Sequence, residues 1–237
     1  MLPPKPQLCS RPPNQAGFTI IESLMAIIVV SILMVAISPV IVISVATRVQ
    51  ARRMEMATQA GRSYLDALRS ESIDAPPISD LSGASGSTRA EKISNKLVGI
   101  AAPDPTDLPC LDSPDYFPYC SDPSSASPSI LYCVDNDGGG CSNDSLKDMV
   151  VQAFGVNTET SGDNEEKAEK GYKLGIRVYR ADAFTSGRKL VGSTGERELA
   201  VTGGTGLKPS QAPLLEMTTE IVTEQTNYDD FCNLTDC

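Results

Sequence analysis

From Phe18 to Thr47 the chain reads FTIIESLMAIIVVSILMVAISPVIVISVAT, and after Glu22 no charge interrupts it until Arg48. The 25 uncharged residues 23–47 would extend about 37 Å as a helix, more than the ~30 Å hydrocarbon core of a bilayer requires. So long and uniformly apolar a helix is out of scale with the core of a small protein, so residues 18–47 are predicted to span a membrane. Beyond Arg48 the pattern becomes periodic. Val49, Met56, Ala60, Tyr64, Ala67 and Leu68 recur at helical spacing between arginines and acids, and no proline follows until Pro76. One helix over 20–72 is predicted, with an amphipathic continuation at 48–73 whose apolar stripe packs on a sheet. Pro39 falls inside the apolar half. Without an amide proton it predicts a kink or a short unwound stretch rather than an end, because apolar residues continue beyond it. The plain alternative is a proline tolerated in a membrane helix.

The remainder, 74–237, reads as a separate globular domain. Nine prolines lie between Pro76 and Pro128 among Ser and Gly clusters, so 74–128 is predicted as loops with a short helix at 89–98. Strand patterns follow over 129–237. Ser129–Val134 and Met149–Val156 are short and β-rich. Tyr172, Leu174, Ile176 and Val178 alternate with Lys173, Gly175, Arg177 and Tyr179, the pattern of a half-buried strand. Lys189–Val191 and Glu198–Thr202 look like shorter partners, and Pro213–Glu224 is open between strand and coil. Glu159–Gly171 is polar and should be exposed. The predicted class is α+β, a long N-terminal helix against a C-terminal antiparallel sheet with cysteine-bearing loops.

Composition narrows the chemistry. The net charge is −10, and residues 74–237 alone carry −13, against +2 over 1–17 and +1 over 18–73. That balance argues against nucleic acid, which needs a basic footprint, and suits a solvated exposed domain. Histidine is absent, which removes imidazole-based nucleophilic schemes and His-ligated zinc. Carboxylate, Ser-Lys and thiolate chemistry remain open, but no constellation of them stands out; the chain reads as a non-enzyme with no cofactor. Gly203–Pro209 lacks the G-x-x-x-x-G-K-[ST] pattern of a phosphate loop and reads as a turn.

Seven cysteines are present. Cys9 precedes the apolar run. The other six, Cys110, Cys120, Cys133, Cys141, Cys232 and Cys237, are an even set on a loop-rich domain and read as disulfides of an oxidising compartment. Fifteen connectivities are possible; the local set, 110–120, 133–141 and 232–237, is favoured because each bond would close a short loop in a weakly structured stretch. Between Cys133 and Cys141, Asp135, Asp137 and a run of glycines form a turn, with Asp144 nearby. Counted from Asp135, position 12 of an EF-hand falls on Leu146 instead of Glu. The stretch therefore reads as a disulfide-closed hairpin tip, with calcium at Asp135, Asp137 and Asp144 as the alternative.

Glu22 is the anomaly of the apolar run. A carboxylate deep in a membrane costs about 2.5–3.5 kcal/mol on insertion scales, although near a helix N-terminus it also meets a favourable dipole. Its context is Ala16-Gly17-Phe18-Thr19-Ile20-Ile21-Glu22-Ser23-Leu24: a short polar leader ending in Gly, then Phe, then an acid just inside the apolar run. This resembles the N-terminus of type IV prepilins and of the pseudopilins of type II secretion systems. The resemblance covers Gly17 to Ile73. It implies that a prepilin peptidase removes leader 1–17 by cutting between Gly17 and Phe18 and methylates the new Phe18 amine. It also implies that Glu22 acts in assembly and that Pro39 is the family's helix proline. The implied partners are the peptidase, other pilin or pseudopilin subunits, an inner-membrane assembly platform and membrane lipid. The five leader prolines are atypical. The stretch Ala46–Arg53, together with the acidic, cysteine-bearing domain, is similar to the hormogonium polysaccharide secretion pseudopilins of filamentous cyanobacteria, which implies a role in polysaccharide export and gliding.

Physically, an unpaired buried carboxylate is costly and a paired one is tolerated. A cationic amine at Phe18 of one subunit can therefore pair with Glu22 of its neighbour and set their axial register, as buried polar groups do in coiled coils. Orientation is contested within the sequence: Arg48, Arg52 and Arg53 outweigh Lys5 and Arg11 and would draw the far end inward. The cysteines decide for a cytoplasmic N-terminus with the acidic domain in the periplasm or outside. The rival function is a single-pass anchored binding or adhesion protein that never polymerises.

Overall fold

The computed structural model describes residues 17, 19–105, 108, 110, 118–123, 127–185, 189–192, 211–235 and 237. Phe18, Cys9 and the rest of 1–16, the expected strand 198–202 and the expected turn 203–209 lie outside them. The chain divides at Arg48–Val49 into two compact units.

Helix α1 runs Ile20–Arg69 without a break, and Pro39 lies inside it with no unwound stretch. It stops three residues before the expected end because a capping turn intervenes. The Ser72 amide donates to Ala67 O at 3.0 Å and the Glu71 amide to Leu68 O at 3.1 Å, while Glu71 takes φ 54. That is the Schellman pattern, with Glu in the left-handed position that glycine usually fills.

In the second unit a five-stranded sheet is built on β3 (Met149–Val156) and β4 (Tyr172–Arg180), paired antiparallel from Met149↔Arg180 to Val156↔Lys173. β5 (Leu215–Ile221) lies antiparallel on the far side of β4. Along the other edge of β3, β2 (Ile130–Val134) pairs antiparallel with 149–153, and the two-residue β1 (Ile78–Ser79) pairs parallel with Gly155 and Val156. The sheet is thus antiparallel except at β1. The open stretch 213–224 resolves into β5, whereas 189–192 is not in a strand; the Val191 amide donates to Gln211 O at 3.0 Å.

Ala57, Ala60, Tyr64, Leu65 and Leu68 of α1 pack on Met149, Val151, Ala153, Leu174, Ile176 and Val178. Gly61 permits the close approach, since a Cβ there would lie 2.9 Å from Leu215 Cδ2. The opposite face is also covered, so β4 is not half-buried as its alternation suggested: Gly175, Arg177 and Tyr179 are all buried. Two elements cover it. Helix α2 (Arg89–Gly99), fixed by a Thr88–Glu91 capping box, lays Ile93 and Leu97 beside Phe154 and Val156. Leu108 and Cys110 of the proline-rich stretch join Val150, Tyr179 and Phe184. A Cβ on Gly175 would run into the Phe154 ring, so glycine is what leaves room for that ring against β4.

Two short helices stand in stretches that the hydrophobic pattern left unassigned. In the polar segment after β3, α3 (Asn164–Glu169) starts at Asp163, whose carboxylate accepts from the Glu166 amide at 2.9 Å. Asn164 also ties down β1, accepting from the Ile78 amide at 2.8 Å. Near the end of the chain lies α4 (Tyr228–Thr235). The structure pairs Cys110 with Cys120, Cys133 with Cys141, and Cys232 with Cys237.

Candidate functional site

The first site is the beginning of α1. Gly17 is exposed, with nothing within 4 Å of where a Cβ would stand. Two residues on, Thr19 starts the helix: its Oγ1 accepts from the Glu22 amide at 3.4 Å and its carbonyl from the Ser23 amide at 3.2 Å. This arrangement fixes Glu22 in the first turn, where the unsatisfied amides favour a carboxylate. Phe18 lies outside the described residues.

Around Glu22 the surface is aliphatic. The large apolar side chains from Ile20 to Val45 are 46–88% exposed, and the helix is long and apolar enough to cross a membrane. Several of its hydroxyls bond within the helix, Ser23 Oγ among them. Ser31 Oγ donates to Ile27 O at 2.7 Å and Thr47 Oγ1 to Ser44 O at 3.0 Å, which removes the penalty of placing them in hydrocarbon. Within residues 20–47 Glu22 is the one acidic or basic side chain.

The second site is the loop joining β2 to β3. The register pairs Val134 with Met149, and one further step sets Asp148 across from Asp135 at the base of the loop. Asp135 Oδ1 accepts from the amides of Gly138 (2.6 Å) and Asp137 (2.9 Å), and its Oδ2 from that of Gly140 (2.8 Å). These amides, Gly140 first, hold its carboxyl below the ordinary range. Asp137 Oδ2 accepts from Ser145 Oγ at 2.8 Å. Asp135, Asp137 and Asp148 each bring a carboxylate oxygen to within 4.8 Å of the others. Asp144, expected in this group, is exposed and not part of it; its amide donates to Ser142 Oγ at 3.2 Å. Asp148 was not foreseen, although the β2–β3 register would have revealed it.

Two buried constellations also escaped the sequence reading. Arg177, expected on a solvent face, is 2% exposed. Its Nε lies 3.3 Å from Glu216 Oε1, and its Nη1 donates to Ile100 O at 2.7 Å and to Gln152 Oε1 at 3.3 Å. The guanidinium thus also donates to carbonyls at the C-terminal end of α2, those of Val98 and Ile100, where a cation is favoured, and it lies 5.1 Å from the Phe154 centroid. On the other face, Tyr64, Tyr119 and Tyr132 pack edge to face with centroids 4.9–6.3 Å apart. The Tyr119 hydroxyl donates to Asp74 O at 2.7 Å and lies 3.0 Å from the Tyr64 hydroxyl. Burial raises the pKa of Tyr64, Tyr119, Tyr172 and Tyr179 well above the ordinary phenol range. Both constellations pin layers of the body together.

Residues 12–38 match the family described as the prokaryotic N-terminal methylation motif. No curated protein and no solved structure matches the chain. The matched residues hold Gly17, Phe18, Glu22 and much of the exposed apolar run. That motif leads into a long apolar helix whose second half packs on a mostly antiparallel sheet, and the match supports a place for the N-terminal segment among the type IV prepilins and pseudopilins.

Proposed function

We propose that this protein is the precursor of a minor pilin or pseudopilin, a non-enzymatic subunit of a type IV pilus or a type II secretion-like filament. The observation that carries the reading is Glu22: a carboxylate in the first turn of an aliphatic helix, inside the matched methylation motif. The motif implies processing by a prepilin peptidase and assembly with other pilins. Cleavage falls between Gly17 and Phe18, and the exposed setting of Gly17 suits a bond that a protease must reach. Phe18 then carries the methylated amine. That cation pairs with Glu22 of an adjoining subunit, and the uncovered aliphatic surface of 20–47 becomes the filament core. Pro39 serves as the local break in hydrogen bonding that lets these helices adjust on packing. Before assembly the subunit is a single-pass protein of the inner membrane, next to the assembly platform, with a cytoplasmic leader. Its acidic domain lies in the oxidising space where Cys110–Cys120, Cys133–Cys141 and Cys232–Cys237 form. Export of polysaccharide and support of gliding are the cargo and task that the Ala46–Arg53 stretch and acidic domain suggest.

Mass spectrometry of the mature N-terminus tests this directly, with methylated Phe18 as the first residue. Gly17→Ala should block processing. Glu22→Ala should be cleaved normally yet recovered poorly in sheared filaments. Normal assembly of both variants would reject the reading in favour of an anchored adhesion protein.

A further inference from the structure

We propose that the loop between β2 and β3 is a calcium site held by Asp135, Asp137 and Asp148. The inference is independent of filament assembly and rests on this loop alone. The three carboxylates converge to within 4.8 Å, oxygen to oxygen. Calcium takes its oxygens at about 2.4 Å, so ligands on opposite sides of one ion stand about 4.8 Å apart. The convergence is therefore of the size that one such ion spans.

Convergence of acids alone would mean little on so acidic a chain. The second observation is Asp148. It is fully buried, its Oδ2 has no hydrogen-bond partner, and its Oδ1 accepts only the Asn136 amide, at 3.1 Å. Among the described residues no Lys or Arg is ion-paired with any of the three aspartates. A buried carboxylate with an orphaned oxygen, facing two more carboxylates, has desolvation and repulsion to offset and no cation to offset them. A divalent ion supplies that charge.

The loop is already shaped for it. Asp135 is held by three backbone amides, and Ser145 holds Asp137 through Oγ. Asn136 Nδ2 donates to Lys147 O at 2.9 Å across the loop base, and the Cys133–Cys141 bond closes one side. Ligands fixed in this way lose little freedom on binding. Three carboxylates and no nitrogen or sulfur donor select a hard cation. Calcium fits better than magnesium, which demands near-ideal octahedral geometry.

The test is isothermal titration and thermal unfolding of the full chain in detergent, chelator-treated and then given calcium chloride at about 1 mM, in the range of extracellular calcium modules. One calcium per chain should bind, and the unfolding midpoint should rise. Asp148→Asn should weaken binding by about tenfold or more while leaving the metal-free midpoint unchanged or higher, because it removes a buried charge. Asp144→Asn should bind as the parent does. No binding heat and no midpoint shift would overturn the site. So would equal affinity for magnesium, calcium affinity unchanged in Asp148→Asn, or its loss in Asp144→Asn.

Discussion

The two parts of α1 obey opposite rules within one helix. From Ile20 to Val45 its large apolar side chains are 46–88% exposed. From Ala57 to Leu68 it buries a narrow stripe against β3 and β4, while Arg62 and Asp66 stay outside. The first part is apolar all round and calls for an apolar surrounding; the second is amphipathic and buries its stripe on the sheet. Stability of the body and fitness of the rod should therefore respond to different substitutions.

The largest effect expected is alkaline unfolding of the body. Tyr64, Tyr119, Tyr172 and Tyr179 are held neutral by burial, so the folded form keeps protons that the unfolded chain releases near pH 10. Stability is then fully present below about pH 10 and falls above it, by about 1.4 kcal/mol per pH unit for each such phenol. Denaturant titrations of the full chain in detergent from pH 8 to 12 should show this, and Tyr64→Phe should make the decline shallower. A flat profile would mean that the tyrosine layer is open to solvent.

Next in size is the buried ion pair. Arg177→Met removes the guanidinium that pairs with Glu216, whose side chain is only 7% exposed, and should cost about 3–5 kcal/mol. The double change Arg177→Met with Glu216→Leu should recover most of that in the same melts; equal losses would show that packing, rather than charge, carries the site. Thr88→Ala removes the cap that starts α2 and should cost about 1 kcal/mol, read as a shift in denaturant midpoint. The smallest effect sharpens the contrast: Val35→Ala, in the uncovered half, should move the unfolding of the body by less than about 0.5 kcal/mol while reducing filament yield. A large shift in the melt would erase the distinction between the two parts of α1.

What the chain discloses before folding follows the same divide. The apolar run and the Gly17–Glu22 motif are contiguous, so their meaning sits in neighbouring residues. β2, β3 and most of α1 carry their period openly as well. Arg177 was misjudged because alternation along β4 reports side-chain direction but not what lies over each face; α2 and the proline-rich stretch decide that from about 80 residues away. Asp148 was missed for a related reason. Its distance from Asp135 depends on strand pairing, whereas Asp144 is merely nearer in sequence. The short α3 and α4 have too few residues to show a helical period, and polar caps such as Asp163 define them instead.

The sheet's borders have a further consequence. On one border β1 is only two residues long and the outer side of the short β2 is taken by 118–120, with the Cys120 amide on Leu131 O at 2.9 Å and the Cys133 amide on Pro118 O at 2.8 Å; β5, at the opposite border, carries Glu216 and Glu220 in a seven-residue strand. Short or acid-bearing margins are poor templates for strand addition from another molecule. Many copies can therefore be crowded side by side without their sheets fusing into amyloid-like stacks.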